Sequence, residues 1–397
     1  MYKEVIATID IGSSKIIAAI GKKDENGVIR ILALEKESSG TAVRRGQVQN
    51  VEEVNQKIVS LLSRLNNKLD GKIEKIYVGV GGHFLITESG PTEEDLKNLS
   101  VKRNIDACIS NNNVEIAGYV VNPIATAAAV LTEPEKEAGC ALIEFGADIT
   151  YLSVYKDRLL KYLVSIPLGG SVITKDVCSL QVSEIEAEKL KVTYGSALME
   201  ASNETIKLQD FPGKKIDFEV FNDIVEARTD EIIANIENLL KESGFADRLS
   251  DIIITGGGAA LKNLAESIEE KINKKVRTAH IKEDLLNAES FIFGQTFGNE
   301  ATIGLLSLGT EKCVEEPEMP ITPPVQTEPT DIFGNPVANQ NPIKTGKRKP
   351  LKKEPKEEQR GGKLWGMLTK KADEFSRTLF EGVDETDDND DNETDKK

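Results

Sequence analysis

The sequence predicts an α/β protein with sheets covered by helices. Strand-like apolar runs alternate with helical patterns along residues 1–310. One unit also recurs at long range: an apolar strand, an acidic residue and a small-residue turn. No repeat of short period accompanies it. Proline then breaks the pattern, because nine of the 14 prolines fall between Glu311 and Arg360.

The elements follow in order. Glu4–Asp10 reads as a buried strand ending in a carboxylate, followed by the turn Gly12-Ser13-Ser14-Lys15 and by strands near Lys15–Ile20 and Val28–Glu35. Val51–Leu69 is helical, with Val54, Ile58, Leu61, Leu62 and Leu65 on one face. A strand follows at Lys75–Val80, and Leu142–Glu144 and Ile149–Val154 flank a second tight turn. Phe218–Ser243 is a long helical pattern. Asp251–Thr255 is an apolar strand that runs into Gly256-Gly257-Gly258, with a helix expected at Leu261–Ile272.

Composition excludes several classes. The 397 residues allow two or three folded units, and 50 Lys plus Arg against 66 Asp plus Glu give a net charge of −16. The acidic body, residues 1–310, argues against a surface that neutralises phosphates, so no nucleic-acid partner is expected. Cys108, Cys140, Cys178 and Cys313 are widely spaced and there are two histidines, which argues against a disulfide framework or a zinc site. No leader and no apolar run of about 18 residues is present, so a soluble intracellular protein is expected.

Three segments carry chemistry. In Ile9-Asp10-Ile11-Gly12-Ser13-Ser14-Lys15 the carboxylate can hold the water shell of Mg²⁺. Gly and Ser let backbone N–H groups face a phosphate, and Lys15 adds a mobile cation. Ile143–Thr150 is a second copy, and Ile252–Ala259 places three glycines after a strand, where bare backbone admits a ribose or base. Alone, each is most often a plain tight turn. Together, in this order, they form a set.

With these motifs the chain resembles the actin/Hsp70/sugar-kinase superfamily, and more narrowly the FtsA family of bacterial cell-division proteins. The resemblance implies an actin-like ATPase fold of two related domains around a nucleotide cleft, with ATP and Mg²⁺ as cofactors. It makes the three segments the phosphate-1, phosphate-2 and adenosine motifs, and Asn122–Val130 and Asn299–Leu305 the helices that connect the domains. It implies Asp10 and Glu144 as catalytic carboxylates, Asp10 holding the metal through water. Gly12, Ser13, Ser14, Lys15, Gly146, Gly256, Gly257 and Gly258 become nucleotide-binding positions, with Glu188 on the ribose and Lys191 near the base. Domain 1 is expected at 1–165, completed by about 296–310, and domain 2 at 166–295, with its subdomain 2B at about 197–243.

Two departures stand out. The family pattern Asp-x-Gly-Gly-Gly-Thr is here Glu144, Phe145, Gly146, Ala147, Asp148, Ile149. Glu144 is one methylene longer, Ala147 restricts the backbone and Asp148 adds negative charge, which together imply a weakened phosphate clamp and absent or very slow hydrolysis. The family's subdomain 1C is also absent or truncated, since 83–103 is too short for an independent core.

The C-terminal region completes the reading. Residues 311–360 are expected to be a disordered linker, with eight basic side chains between 344 and 360. Over 361–380, Leu364, Trp365, Leu368, Phe375 and Leu379 share a helical face, which fits an amphipathic helix lying on anionic lipid. An acidic tail fills 381–397. The resemblance thus implies an adaptor that tethers filaments of FtsZ through its C-terminal tail, associates with itself, and works on the cytoplasmic face of the inner membrane at the division site. A PilM-like pilus-assembly adaptor and a small-molecule kinase of the same fold are the alternatives.

Overall fold

The computed structural model describes residues 4–69, 71–82, 85–87, 100–199 and 216–315. In chain order the principal strands are β1 (Glu4–Ile11), β2 (Lys15–Lys23), β3 (Ile29–Ser38), β4 (Lys75–Val80), β5 (Leu85–Thr87) and β6 (Glu115–Val121). They continue as β7 (Cys140–Phe145), β8 (Thr150–Lys156), β9 (Leu159–Ile166), β10 (Asp251–Thr255) and β11 (Lys275–Thr278). The helices used below are α1 (Val51–Asn66), α2 (Ser100–Ile109), α3 (Asn122–Val130), α4 (Glu133–Ala138), α5 (Gly170–Val177), α6 (Glu184–Tyr194), α7 (Phe218–Glu242), α8 (Leu264–Ile272) and α9 (Glu300–Leu308).

Two sheets share one plan. The first has the order β3-β2-β1-β4-β6 and the second β11-β10-β7-β8-β9-β5. In each, three strands joined by antiparallel pairing (β1 to β3, β7 to β9) are extended on the far side of the first strand by parallel strands. Parallel strands need covering on both faces, which explains the unbroken apolar character of β1, β7 and β10. Ala141, Ile143 and Phe145 of β7 point into a core with α5–α8, whereas Cys140 and Leu142 point into the core that also holds β1, β2 and α1. One strand therefore serves two cores.

Local signals set the helix ends. Asn50 caps α1 by accepting from the Glu53 N–H, and Ser183 and Glu186 form a reciprocal capping box on α6. The connecting helices α3 and α9 cross with their backbones in contact, because a Cβ on Gly304 would overlap the Ala125 carbonyl oxygen. The small residues of both segments fit this crossing.

Three expectations are corrected. A domain boundary at 165/166 would cut the meander Cys140–Ile166 away from its sheet, since β7 pairs with β10, and the turn after Glu144 belongs with that sheet. The body reaches past 310: Val314–Glu315 pairs with Lys72–Ile73, and Cys313 is buried with its N–H donating to Val5. Helix α8 starts at Leu264 rather than Leu261, because Asn263 takes a left-handed conformation with φ 57° and the residues before it form a 3₁₀ turn.

The region assigned to a truncated 1C, 83–103, contributes β5, which adds to the edge of the second sheet along Tyr162–Val164, and the first turn of α2. Helix α2 packs beside α1, where the Asn55 amide donates to the Cys108 carbonyl at 2.7 Å. The linker from 316, the 361–380 helix with its membrane-facing residues, the acidic tail and residues 200–215 of the 2B region lie outside the described residues.

Candidate functional site

The first turn closes when Gly12 N–H donates to the Lys15 carbonyl at 3.0 Å. This holds Asp10 at the end of β1, facing the start of α3, where the Asn122 side-chain amide donates to its Oδ1 at 2.7 Å. Burial pushes the Asp10 carboxyl up to about 6, although the Asn122 hydrogen bond and the Lys15 charge pull the other way. The Lys15 chain extends toward Gly298, where a Cβ would meet its Nζ at 2.6 Å and its Cε at 3.3 Å.

The second turn repeats the first, with Gly146 N–H donating to the Ile149 carbonyl at 2.9 Å. Glu144 occupies the place of Asp10. Burial pushes its carboxyl up to about 8; Thr126, close by without a well-aligned hydrogen bond, offsets part of this, and the charges of Glu300 and Asp10 add to it. Glu300, at the start of α9, is itself buried and raised by that burial, against backbone N–H groups, Thr255 and Lys15. Asp10, Glu144 and Glu300 thus form a desolvated acidic group from β1, β7 and α9, with Lys15 as a nearby cation.

Asp148 behaves differently. Its Oδ2 accepts the Arg45 N–H at 2.9 Å and its Oδ1 accepts the Ser171 hydroxyl at 2.7 Å. Burial alone would raise its pKa, but these hydrogen bonds, with the Arg44 charge and Ser13 hydroxyl, outweigh it and hold the carboxyl below the usual range.

The third element gathers differently from expectation. Gly256 has φ +86°, and Cβ atoms on Gly256 and Gly258 would press on Phe145, so these two are fixed by packing against β7. Only Gly257 faces open space, and it is the glycine that leaves room for a ligand. Beside this turn runs the end of α6, joined through the Asn263 amide to the Ser196 hydroxyl at 2.9 Å. On α6, Lys191 Nζ contacts Glu188 at 2.6 Å, the Gly170 carbonyl at 3.0 Å and the Thr174 hydroxyl at 2.8 Å. Thr174 also donates to Glu188, so the pair is part of a network with α5 rather than a solvated surface pair.

The structure therefore brings Asp10, Lys15 and Glu144 together at one centre, while Glu188, Lys191 and Gly257 line its flank. An Mg²⁺-nucleotide fits this donor set: buried carboxylates raised by desolvation gain from a cation, and Lys15 suits phosphate. Among the described residues no three His, Cys, Asp or Glu side chains converge closely enough to hold a metal directly. Sequence reasoning missed Asn122, Thr126 and Glu300 as members of the centre. Their signal was positional: Asn122 and Glu300 open the two connecting helices, and Thr126 lies one turn after Asn122.

A family model described as cell division protein FtsA matches residues 141–294. The cell division protein FtsA of Porphyromonas gingivalis is 27% identical over 384 residues, covering 78% of this chain and 79% of that protein. Among solved structures, the PilM-PilN type IV pilus biogenesis complex matches with a TM-score of 0.59 at 13% identity, over 78% of this chain and 98% of that one. MreB5 of Spiroplasma citri bound to ADP matches with a TM-score of 0.54 at 13% identity, over 77% and 95%. At those identities the solved structures establish the fold alone, an actin-like one. In sequence, then, this chain is similar to cell division proteins FtsA.

Proposed function

We propose that this chain is a cell-division adaptor that binds ATP with Mg²⁺ in the cleft between its sheets and links FtsZ filaments to the membrane. The observation that carries the nucleotide part is the convergence of Asp10, Lys15 and the second turn on one desolvated centre, in a chain similar to cell division proteins FtsA. In this reading Asp10, held by Asn122, supports the metal through water, and Lys15 with the backbone of Gly12, Ser13, Ser14 and Gly146 holds phosphates. Gly257 lets the nucleoside approach, Glu188 takes the ribose and Lys191 lies near the base. Bound nucleotide supplies a polyanion with its metal, which draws the two halves together. Turnover is very slow, because burial disfavours the ionised form of Glu144 and Asp148 is already committed to protein donors.

Membrane attachment is assigned to Leu364, Trp365, Leu368, Phe375 and Leu379. Among the described residues no helix is long and apolar enough to cross a membrane. The FtsZ tail is assigned to the 2B region, and filament formation to self-association of the body. The lost 1C module has support in the alignment with the P. gingivalis protein. It runs over 384 positions, of which 78% of a 397-residue chain supplies about 310, as a relative with an additional module would require.

Co-sedimentation tests the adaptor reading. With anionic liposomes, the full chain should pellet and carry FtsZ with it. Trp365→Glu with Phe375→Glu should leave both in the supernatant while nucleotide binding persists. Pelleting unchanged by the double substitution, or FtsZ that stays behind when the chain pellets, defeats the assignment.

A further inference from the structure

We propose that Asp148 is a built-in anion at the mouth of the cleft, and that it makes the site select a nucleoside diphosphate over the triphosphate. This rests on the nucleotide reading above and adds to it which nucleotide the site retains. The argument begins with placement. The first turn offers two hydroxyls and a cation, whereas the equivalent turn of the second sheet offers a carboxylate.

That carboxylate is not idle. Its two oxygens take donors from opposite halves of the body: the Arg45 N–H, from the hairpin after β3, at 2.9 Å, and the Ser171 hydroxyl, at the start of α5, at 2.7 Å. The first phosphate turn joins the same assembly. Ser13 Oγ accepts the Gly46 N–H at 2.9 Å, which leaves its own proton to donate, and Ser13 and Arg44 both help keep Asp148 ionised. Backbone N–H, two hydroxyls and an arginine are the donor types an oxyanion requires. Here they already hold one that belongs to the chain.

A terminal phosphoryl group clamped between the two turns would need these donors and would meet a fixed negative charge where a small residue would leave room. Displacing Asp148 means breaking two hydrogen bonds and leaving an ionised carboxylate half-buried without them. A nucleotide shorter by one phosphoryl group leaves the tie intact and retains Lys15 for its own phosphates. The tie joins the Gly146–Ile149 turn to the Arg45 hairpin, and a second bridge links the same two halves, where the Gly82 N–H donates to the Tyr151 hydroxyl at 2.8 Å. The Asp148 anion thus supplies part of the closure that a terminal phosphate would otherwise bring.

The test is calorimetric titration of the full-length chain with Mg-ADP and, separately, Mg-ATP, for the wild type, Asp148→Asn and Asp148→Gly, with melting temperatures to show that each variant is folded. The asparagine keeps the shape and removes the charge; the glycine removes both. The wild type should bind ADP about tenfold or more tighter than ATP, the range expected for one added like charge near a partly buried site. In both variants that ratio should fall at least fivefold, chiefly through tighter ATP binding. Equal affinities in the wild type, or a ratio unchanged in both variants, overturns the role of Asp148 while leaving the nucleotide site standing. Binding of neither nucleotide by any of the three proteins overturns the nucleotide reading itself, and the selectivity with it.

Discussion

The turn Gly12–Lys15 and the turn Gly146–Ile149 close with the same bond, an N–H to carbonyl contact of 3.0 Å in one and 2.9 Å in the other, and each joins the first two strands of an antiparallel meander. Each follows an acidic residue, Asp10 or Glu144, whose carboxyl is raised by burial, to about 6 and about 8 respectively. They differ in the side chains between. Lys15 pulls the first carboxyl down and reaches into the cleft, while the second turn carries Asp148, tied to Arg45 and Ser171. A duplicated backbone plan can therefore hold unlike electrostatics. The first turn is built to receive an anion and the second already holds one.

Alanine at the two closing glycines should separate the turns most strongly. A Cβ on Gly146 would lie 2.5 Å from the Ile149 carbonyl oxygen, against 3.0 Å from the Lys15 oxygen for Gly12. Gly146→Ala should cost about 3 kcal/mol in denaturant unfolding and Gly12→Ala about 1 kcal/mol, as overpacking against fixed backbone predicts. Equal costs would mean that the two turns relax alike.

Glu144→Gln should give the next largest effect, and one that depends on pH. The folded-state pKa of Glu144 is raised above its unfolded value, so the native state holds a proton that the unfolded chain has released. Its burial costs nothing below about pH 4.5, and the cost grows as pH rises toward about 8. In metal-free buffer the substitution should stabilise the body by roughly 2 kcal/mol at pH 9 and by little at pH 4. A stabilisation that does not vary with pH would show that the carboxyl is solvated.

The smallest effect is expected at Lys15. Its charge lowers the Asp10 pKa, so Lys15→Gln should move the Asp10 titration upward, as followed by NMR of the carboxyl carbon, with little change in melting temperature. An unchanged Asp10 titration would place the ammonium away from Asp10.

Much of this was legible in the sequence where the signal is local. β1, its turn and α1 follow from apolar periodicity, a glycine and the Asn50 cap, all within a few residues. The adjacency of Glu188 and Lys191 follows from helical spacing alone. What sequence could not show depends on distant partners. β7–β9 would look the same in either sheet, and only pairing with β10 about a hundred residues later assigns them. Val314–Glu315 reads as the start of a proline-rich stretch until Lys72–Ile73 is beside it. Glu300 has the ordinary look of a first-turn helix acid, yet close packing of α9 against α3 buries it. Asp148 looked like a charge set against phosphate, and its tie to Arg45 exists only because two sheets meet.

The central claim, that the centre around Asp10 holds a metal-bound nucleotide, is tested most directly by titrating Mg-ADP and then Mg-ATP into the wild-type chain and into Asp10→Ala. The account predicts saturable binding near one nucleotide per chain in the wild type and at least a hundredfold loss in the variant. The melting temperature of nucleotide-free Asp10→Ala should not fall at pH 8, because the carboxylate it removes is penalised by burial there. Equal affinities for wild type and variant, or no binding by the wild type with Mg²⁺ in excess, would contradict it.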